Sequence, residues 1–357
     1  MSSMTMVLRI AALCAAVFFL GCQLVNPRDT EAYQLLGRYH EVEPGRYIMN
    51  WPGSGFKIRF NGTVLNATIE DDGNGIMDVI VNGTESAPIG LKSGAHSYEI
   101  LRVTDAQDLT VTLTRRTEVF DTGSFILSNI SHDGRGIKTP PSNRRVIFVG
   151  DSITAGFGVR GETKSCDYLP ATNAPLMGYA ALSADILGAD YHLIAISGRG
   201  VVYNWDNNPN PVMPVQIDLT LADDPNGEKW DHSRFQADII VIALGTNDWS
   251  VINPGKEKFR AGYLSLLRDL RARYKDAHII AVNGPLLDGD KKASVRDGID
   301  YAIDTFEDEN VSTLDVALAS DGLVWSCNSH PGQDSMKEMA KLLAKHISLR
   351  TDWRLKR

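Results

Sequence analysis

Four short motifs carry residue types that could do chemistry together. Gly150-Asp151-Ser152 directly follows the apolar run 146–149. A serine at a strand-to-helix turn projects its hydroxyl into a crevice, where the N–H groups that open the helix can hold an oxyanion. Ser197-Gly198-Arg199-Gly200 follows the apolar run 193–196, and its glycines let backbone approach a ligand closely. Gly245-Thr246-Asn247-Asp248 follows the run 239–244, and the Asn247 amide can donate to developing negative charge. Ser329-His330-Pro331 precedes the last helical pattern. Each motif alone is weak, because serine is a common helix N-cap and a lone histidine is more often structural. The four together, in this order at strand ends, form a specific pattern.

The elements that must position them fall into two halves. From residue 33 to 127 the chain alternates apolar and polar residues over 56–60, 64–69 and 109–113. Turn signals separate these runs at Asn61-Gly62, 71–75, Asn82-Gly83 and Ser93-Gly94. Period-two alternation at this spacing predicts a β-sandwich of jelly-roll type. The segment 71–75 lacks the ligand spacing of a calcium loop and is read as a hairpin turn. A Gly- and Pro-rich stretch over 131–141 reads as a linker. Beyond it, the short apolar runs 146–149, 193–196, 239–244, 279–282 and 311–314 are candidate strands buried on both faces. Tyr263, Leu267, Leu270 and Tyr274 form one helical stripe, and Ser335 with Glu338 reads as a capping box opening the last helix. Strands alternating with helices predict an α/β/α domain on a parallel five-stranded sheet, with ligands at the carboxyl ends of its strands.

Composition narrows the function classes. The chain has 357 residues, 43% hydrophobic and 22% charged, as expected of a folded chain of about two domains. With 44 acidic against 36 basic side chains it lacks the basic excess of a nucleic-acid binder. Four cysteines are too few for a disulfide scaffold and show no zinc spacing. No metal or other cofactor is implied.

The first residues read as an address. A basic Arg9 followed by the apolar run 10–20 has the form of a secretory signal, too short to span a bilayer. Phe19-Leu20-Gly21-Cys22 resembles a bacterial lipobox, with Phe19 where leucine is usual. This predicts a signal peptide over 1–21, lipidation at Cys22 and export to the cell envelope, with membrane contact only through that anchor. Ordinary secretion is the other reading. The remaining domains are predicted over 22–138 and 139–357. Export leaves Cys166 and Cys327 in a disulfide-permissive compartment, either bridged or as two buried thiols.

Gly150-Asp151-Ser152, Gly198, Asn247 and His330 resemble, block by block, the SGNH (GDSL-type) hydrolases. Arg115-Arg116-Thr117-Glu118, the stretch 230–238 and Gly245-Thr246-Asn247-Asp248-Trp249-Ser250 are similar to carbohydrate esterase family 2, as is the domain order. The resemblance spans about residues 33–348. It implies a serine esterase that deacetylates plant polysaccharides such as acetylated xylan or glucomannan. Ser152 would attack the acetyl carbonyl and His330 would shuttle the proton. The Ser152 and Gly198 N–H groups and the Asn247 amide would hold the oxyanion. One departure stands out. Where most of these enzymes carry Asp three residues before the His, this chain has Cys327, followed by Asn328. Two devices could orient His330 instead: the side-chain oxygen of Asn328, or a backbone carbonyl, as the resemblance implies for some family 2 enzymes. Trp249 is a candidate for stacking on sugar, with core packing as the alternative. Arg199 is a candidate for substrate contact or a surface ion pair. Two other functions fit the same residues: an esterase of broader acyl range, and a glycan-binding protein that has lost turnover.

Overall fold

The computed structural model describes residues 23–24, 33–138, 140–316 and 323–356. The leader and Cys22 lie outside the described residues. Among the described residues no helix is long and apolar enough to cross a membrane.

In the N-terminal half, eleven strands of the described chain hydrogen-bond into one sheet. Its spine is the antiparallel pairing of Gly55–Asp71 with Gly94–Arg115, flanked by Phe125–His132 on one side and Ile76–Val81 on the other. Alternate residues of these strands, Phe56, Phe60, Leu65, Ile69, Leu113 and Leu127 among them, bury into a single core. The predicted turn at Asn61-Gly62 is not one. The strand runs through it, and its register against the neighbouring strand slips between Gly62 and Val64. This bulge bends the strand without ending it. Asp133 occupies the space beside Gly62 and accepts the N–H groups of Thr63 and Val64 at 2.8 and 3.0 Å. The 71–75 segment is a tight turn in which Asp71 accepts the N–H groups of Gly73 and Gly75 at 2.8 and 3.0 Å. Sheet pairing extends to Arg135–Gly136, and the next strand begins at Arg145.

The second half is a doubly wound domain. Its five strands lie in the order Asp190–Ala195, Arg145–Gly150, Ile239–Ala243, His278–Asn283, Val311–Asp315, all parallel. Both faces are apolar because both are covered. Val146 and Phe148 point to helices Tyr179–Leu187 and Gln333–Arg350, while Ile147 and Val149 point to Lys256–Arg273 and Gly289–Phe306. The stripe Tyr263, Leu267, Leu270 and Tyr274 is buried on this second face. The last helix is capped differently from the sequence expectation. Gly332 is its N-cap, and Ser335, already inside the helix, exchanges hydrogen bonds of 2.8 and 2.9 Å with the backbone of Val324. Both neighbours of Arg145–Gly150 follow it in the chain, Asp190–Ala195 on one side and Ile239–Ala243 on the other, so the winding reverses at this strand and its carboxyl end is the switch point where ligands bind in such sheets. Ser152 sits there.

Candidate active site

Asp151 and Ser152 open the site. Asp151 is the N-cap of the single turn Ser152–Ala155, and its Oδ1 accepts the Ile153 N–H at 3.1 Å. Ser152 is the first helical residue, so its own N–H has no acceptor within the helix. His330 approaches from the far end of the chain, with Nε2 2.8 Å from Ser152 Oγ. On its other side, Nδ1 lies 3.0 Å from the backbone carbonyl of Asn328. The Asn328 side chain is exposed and the contact is made by backbone, so of the two orienting devices open in the sequence the structure contains the carbonyl. Asn328 and Ser329 both take left-handed backbone, with φ of 50° and 59°, which swings that carbonyl toward the imidazole.

This loop is anchored to the segment before it. A disulfide joins Cys166 to Cys327 across 161 residues. The N–H groups of Asn328 and Ser329 donate to the Cys166 and Lys164 carbonyls at 2.9 and 3.0 Å. Phe157 packs 4.6 Å from the His330 ring, and Tyr168 stacks behind it at 4.0 Å. Burial lowers the His330 pKa from 6.5, opposed by its backbone hydrogen bonds, and among the described residues no carboxylate stands against the ring.

The oxyanion side is built by two loops. Gly198 adopts φ of 80° in the turn after Asp190–Ala195, and a Cβ there would meet the Trp205 ring at 2.2 Å. Among the described residues its N–H has no protein acceptor. Asn247 follows Ile239–Ala243, with Nδ2 2.8 Å from the Arg199 carbonyl and 3.2 Å from Asp151 Oδ2. Its amide hydrogens therefore already face protein oxygens, which leaves the Ser152 and Gly198 N–H groups as the free donors. Burial pushes Asp151 up to about 7. The neighbouring Asp248, also buried, accepts the N–H groups of Val201, Val202 and Tyr203 at 2.7–3.0 Å and fixes the loop beyond Gly198.

Ser152, Phe157, Gly198, Asn247, Asn328 and His330 line one cleft of about 870 Å³. Trp249 is not among them. It is only 4% exposed and packs edge-on to Phe259 at 5.9 Å inside the core, so it cannot stack on a sugar. The exposed aromatics of the cleft are Trp205 and Phe120, at 60% and 54%. Sequence reasoning missed both. Trp205 lies in the polar run Asn204-Trp205-Asp206-Asn207-Asn208, and a large aromatic in such a loop was an available signal. Arg199 also lines the cleft, and among the described residues no carboxylate pairs with it.

The N-terminal domain reaches into this site. Glu118, fully buried, accepts the Ser197 N–H at 3.0 Å and the Ser197 hydroxyl at 2.5 Å. Arg115 wraps the same turn, donating to the carbonyls of Thr117, Glu118 and Gly123. Arg116 pairs with buried Asp78. The stretch 230–238 lies elsewhere, where Arg234 stacks between Tyr39 and Trp230 at the domain junction.

A Ser–His contact at the switch point of a parallel sheet, roofed by a β domain, defines the class: a two-domain ester hydrolase. Comparison with known proteins specifies it. The model of the GDSL-like lipase/acylhydrolase family matches residues 148–336, and that of the carbohydrate esterase 2 N-terminal domain matches residues 35–141. The chain belongs to carbohydrate esterase family 2 of the GDSL-like hydrolases. An acetylxylan esterase/glucomannan deacetylase of Cellvibrio japonicus is 27% identical over 90% of this chain and 89% of its own. The cellulase/esterase CelE of Acetivibrio thermocellus is 31% identical over 71% of this chain, which spans only 31% of that longer protein. A family two carbohydrate esterase from Clostridium thermocellum, solved with cellohexaose, superposes with a TM-score of 0.85 at 27% identity, covering 90% of this chain and 100% of that one.

Proposed function

We propose that this esterase removes O-acetyl groups from a polysaccharide, acetylated xylan or glucomannan, through an acetyl-enzyme on Ser152. The observation that carries the reading is the 2.8 Å contact between His330 Nε2 and Ser152 Oγ at the floor of an open cleft. His330 Nε2 takes the Ser152 proton as Oγ bonds to the acetyl carbon. Its Nδ1–H stays on the Asn328 carbonyl, a dipole in place of the usual carboxylate. The carbonyl oxygen, now anionic, meets the N–H groups of Ser152 and Gly198, with Asn247 beside them. His330 then returns the proton to the departing sugar oxygen, and the C–O bond to the sugar breaks. Water, deprotonated by the same imidazole, attacks the acetyl-serine; the acyl C–Oγ bond breaks as His330 returns the proton to Ser152 Oγ, and acetate leaves. The flat faces of Trp205 and Phe120 on the rim suit sugar rings, consistent with relatives named for acetylxylan and glucomannan.

We also infer export, with Cys22 as the lipid-bearing residue. The Cys166–Cys327 disulfide supports this, since such bonds persist in oxidising compartments.

The test is acetate release from acetylated xylan and acetylated glucomannan by the protein and by Ser152→Ala. Release that disappears in the variant is the expected result. Faster turnover of long-chain aryl esters than of acetyl esters would overturn the acetyl assignment in favour of a broad-range esterase. Polymer binding without Ser152-dependent release would overturn turnover itself.

A further inference from the structure

The β domain contributes one turn to the site, and its residues contact both halves of the reaction geometry. Glu118 precedes the helical turn Val119–Thr122. Its carboxylate holds the N–H and hydroxyl of Ser197, the residue before Gly198. Three residues on, the Asp121 carboxylate accepts the Glu118 N–H at 3.0 Å and the Tyr168 hydroxyl at 2.6 Å. Tyr168 is the ring stacked on Phe157, which lies against His330.

We infer that Glu118 is a positioning residue for the esterase reaction: it sets the Ser197–Gly198 peptide so that the Gly198 N–H points at the oxyanion. This rests on the acyl-transfer reading of Ser152, but on no particular acyl group or polymer. The direction of the Gly198 N–H is fixed by the peptide plane between Ser197 and Gly198. A glycine at positive φ holds that plane only weakly, because it has the widest conformational freedom of any residue. Here the planes on either side of it are held. Glu118 accepts the Ser197 N–H of the preceding peptide and the Ser197 hydroxyl, and the Gly198 carbonyl of the following peptide accepts the Trp205 N–H at 2.9 Å, so the peptide between them has little room to turn.

The burial of Glu118 is costly. Among the described residues no cation forms an ion pair with its carboxylate; Arg115 binds the Glu118 carbonyl and offsets only part of the burial through space. Desolvation pushes its pKa up to about 7. A hydrophobic side chain would pack this junction at lower cost, but it would leave the Ser197 N–H unpaired and the plane free to turn. The β domain thereby acts on the oxyanion turn directly, rather than only walling the cleft.

The test reads the nucleophile without assuming a substrate. A fluorophosphonate probe phosphonylates an activated serine with loss of fluoride and uses the same oxyanion donors. Glu118→Ala is expected to slow labelling of Ser152 by roughly 10- to 100-fold, below the full loss of one donor. With 4-nitrophenyl acetate the same variant is expected to lower kcat and leave KM within about twofold. Glu118→Gln, which keeps an acceptor for the Ser197 N–H, should recover most of the rate. Trp51→Phe serves as the comparison, because it removes a 2.9 Å bond to the Thr220 carbonyl at the same domain junction without touching Ser197. Labelling of folded Glu118→Ala at the native rate would overturn the inference, as would an equal loss in Trp51→Phe. If Glu118→Ala does not fold, Glu118→Asp decides. It withdraws the carboxylate by one methylene and should slow labelling at least about fivefold, and an unchanged rate overturns the inference. Absence of labelling in the native protein would overturn the Ser152 assignment and this inference together. Absence of acetate release with labelling intact would overturn only the polymer reading.

Discussion

Among the described residues no carboxylate stands against His330, and under the proposed mechanism this has a consequence that pH can expose. A triad aspartate stabilises the imidazolium and holds the histidine pKa up. Here a neutral carbonyl occupies that place, and Phe157 covers the ring. Burial then disfavours the cation and lowers the pKa from 6.5. The base must be neutral to accept the Ser152 proton, so activity is lost as pH falls through the His330 pKa. The acid limb of kcat/KM for an acetyl ester should therefore have its midpoint below 6.5. A midpoint at or above about 7 would mean that a carboxylate reaches the ring during turnover. The same substitution of dipole for charge weakens imidazolium stabilisation in the transition state, so kcat should be modest for a serine hydrolase.

At the scale of elements, the loop that carries His330 is closed by one short antiparallel pair, Trp325–Ser326 with His330–Pro331, and further anchors tie it to the rest of the domain. Its anchors are the Cys166–Cys327 bond, the two backbone bonds to Lys164 and Cys166, and Ser326 Oγ, which donates to the Gly158 and Gly161 carbonyls. Gly161 is required beside the bridge, because a Cβ there would sit 2.2 Å from Cys327 Sγ. Two successive left-handed residues other than glycine, Asn328 and Ser329, persist only where their surroundings over-determine them. The disulfide is the covalent part of that constraint. Replacing both cysteines by serine is expected to cost about 2–4 kcal/mol in urea unfolding, most simply through the longer free loop of the unfolded chain. It is also expected to lower kcat severalfold as the Asn328 carbonyl leaves the imidazole. Unchanged unfolding and unchanged kcat would mean that the hydrogen bonds alone hold the loop.

At the scale of the whole molecule, legibility in the sequence tracks the distance between partners. The parallel sheet was readable because each strand is a short apolar run buried on both faces, and Ser152, Gly198, Asn247 and His330 were readable because each follows or precedes such an element. The bulge at Gly62 was not, because Asn-Gly looks the same in a bulge as in a hairpin. Nor was Trp249, whose burial depends on Phe259 from a helix packed over it. Glu118 stood inside a recognised motif, but its partner lies 79 residues away and on the other domain. The domain junction consists of such pairs. Arg38, buried between Trp51 and Trp230, donates to the Ile217 and Leu219 carbonyls at 2.5 and 2.7 Å. Asn50 accepts the Ala222 N–H at 2.8 Å, and the Trp51 ring is part of the core of the α/β domain. Separating the domains would strand these polar groups and open a hole of tryptophan size, each a loss of about 1–5 kcal/mol. That exceeds what domains linked by an ordinary polar contact would share. The two halves should therefore melt as one unit, giving a single calorimetric transition with matching calorimetric and van't Hoff enthalpies. The α/β half expressed from residue 140 should lack fixed tertiary packing by near-ultraviolet circular dichroism. Two resolved transitions, or a native-like excised half that still labels at Ser152, would show that the β domain is dispensable to the fold and that its hold on the oxyanion turn is not needed to build the site.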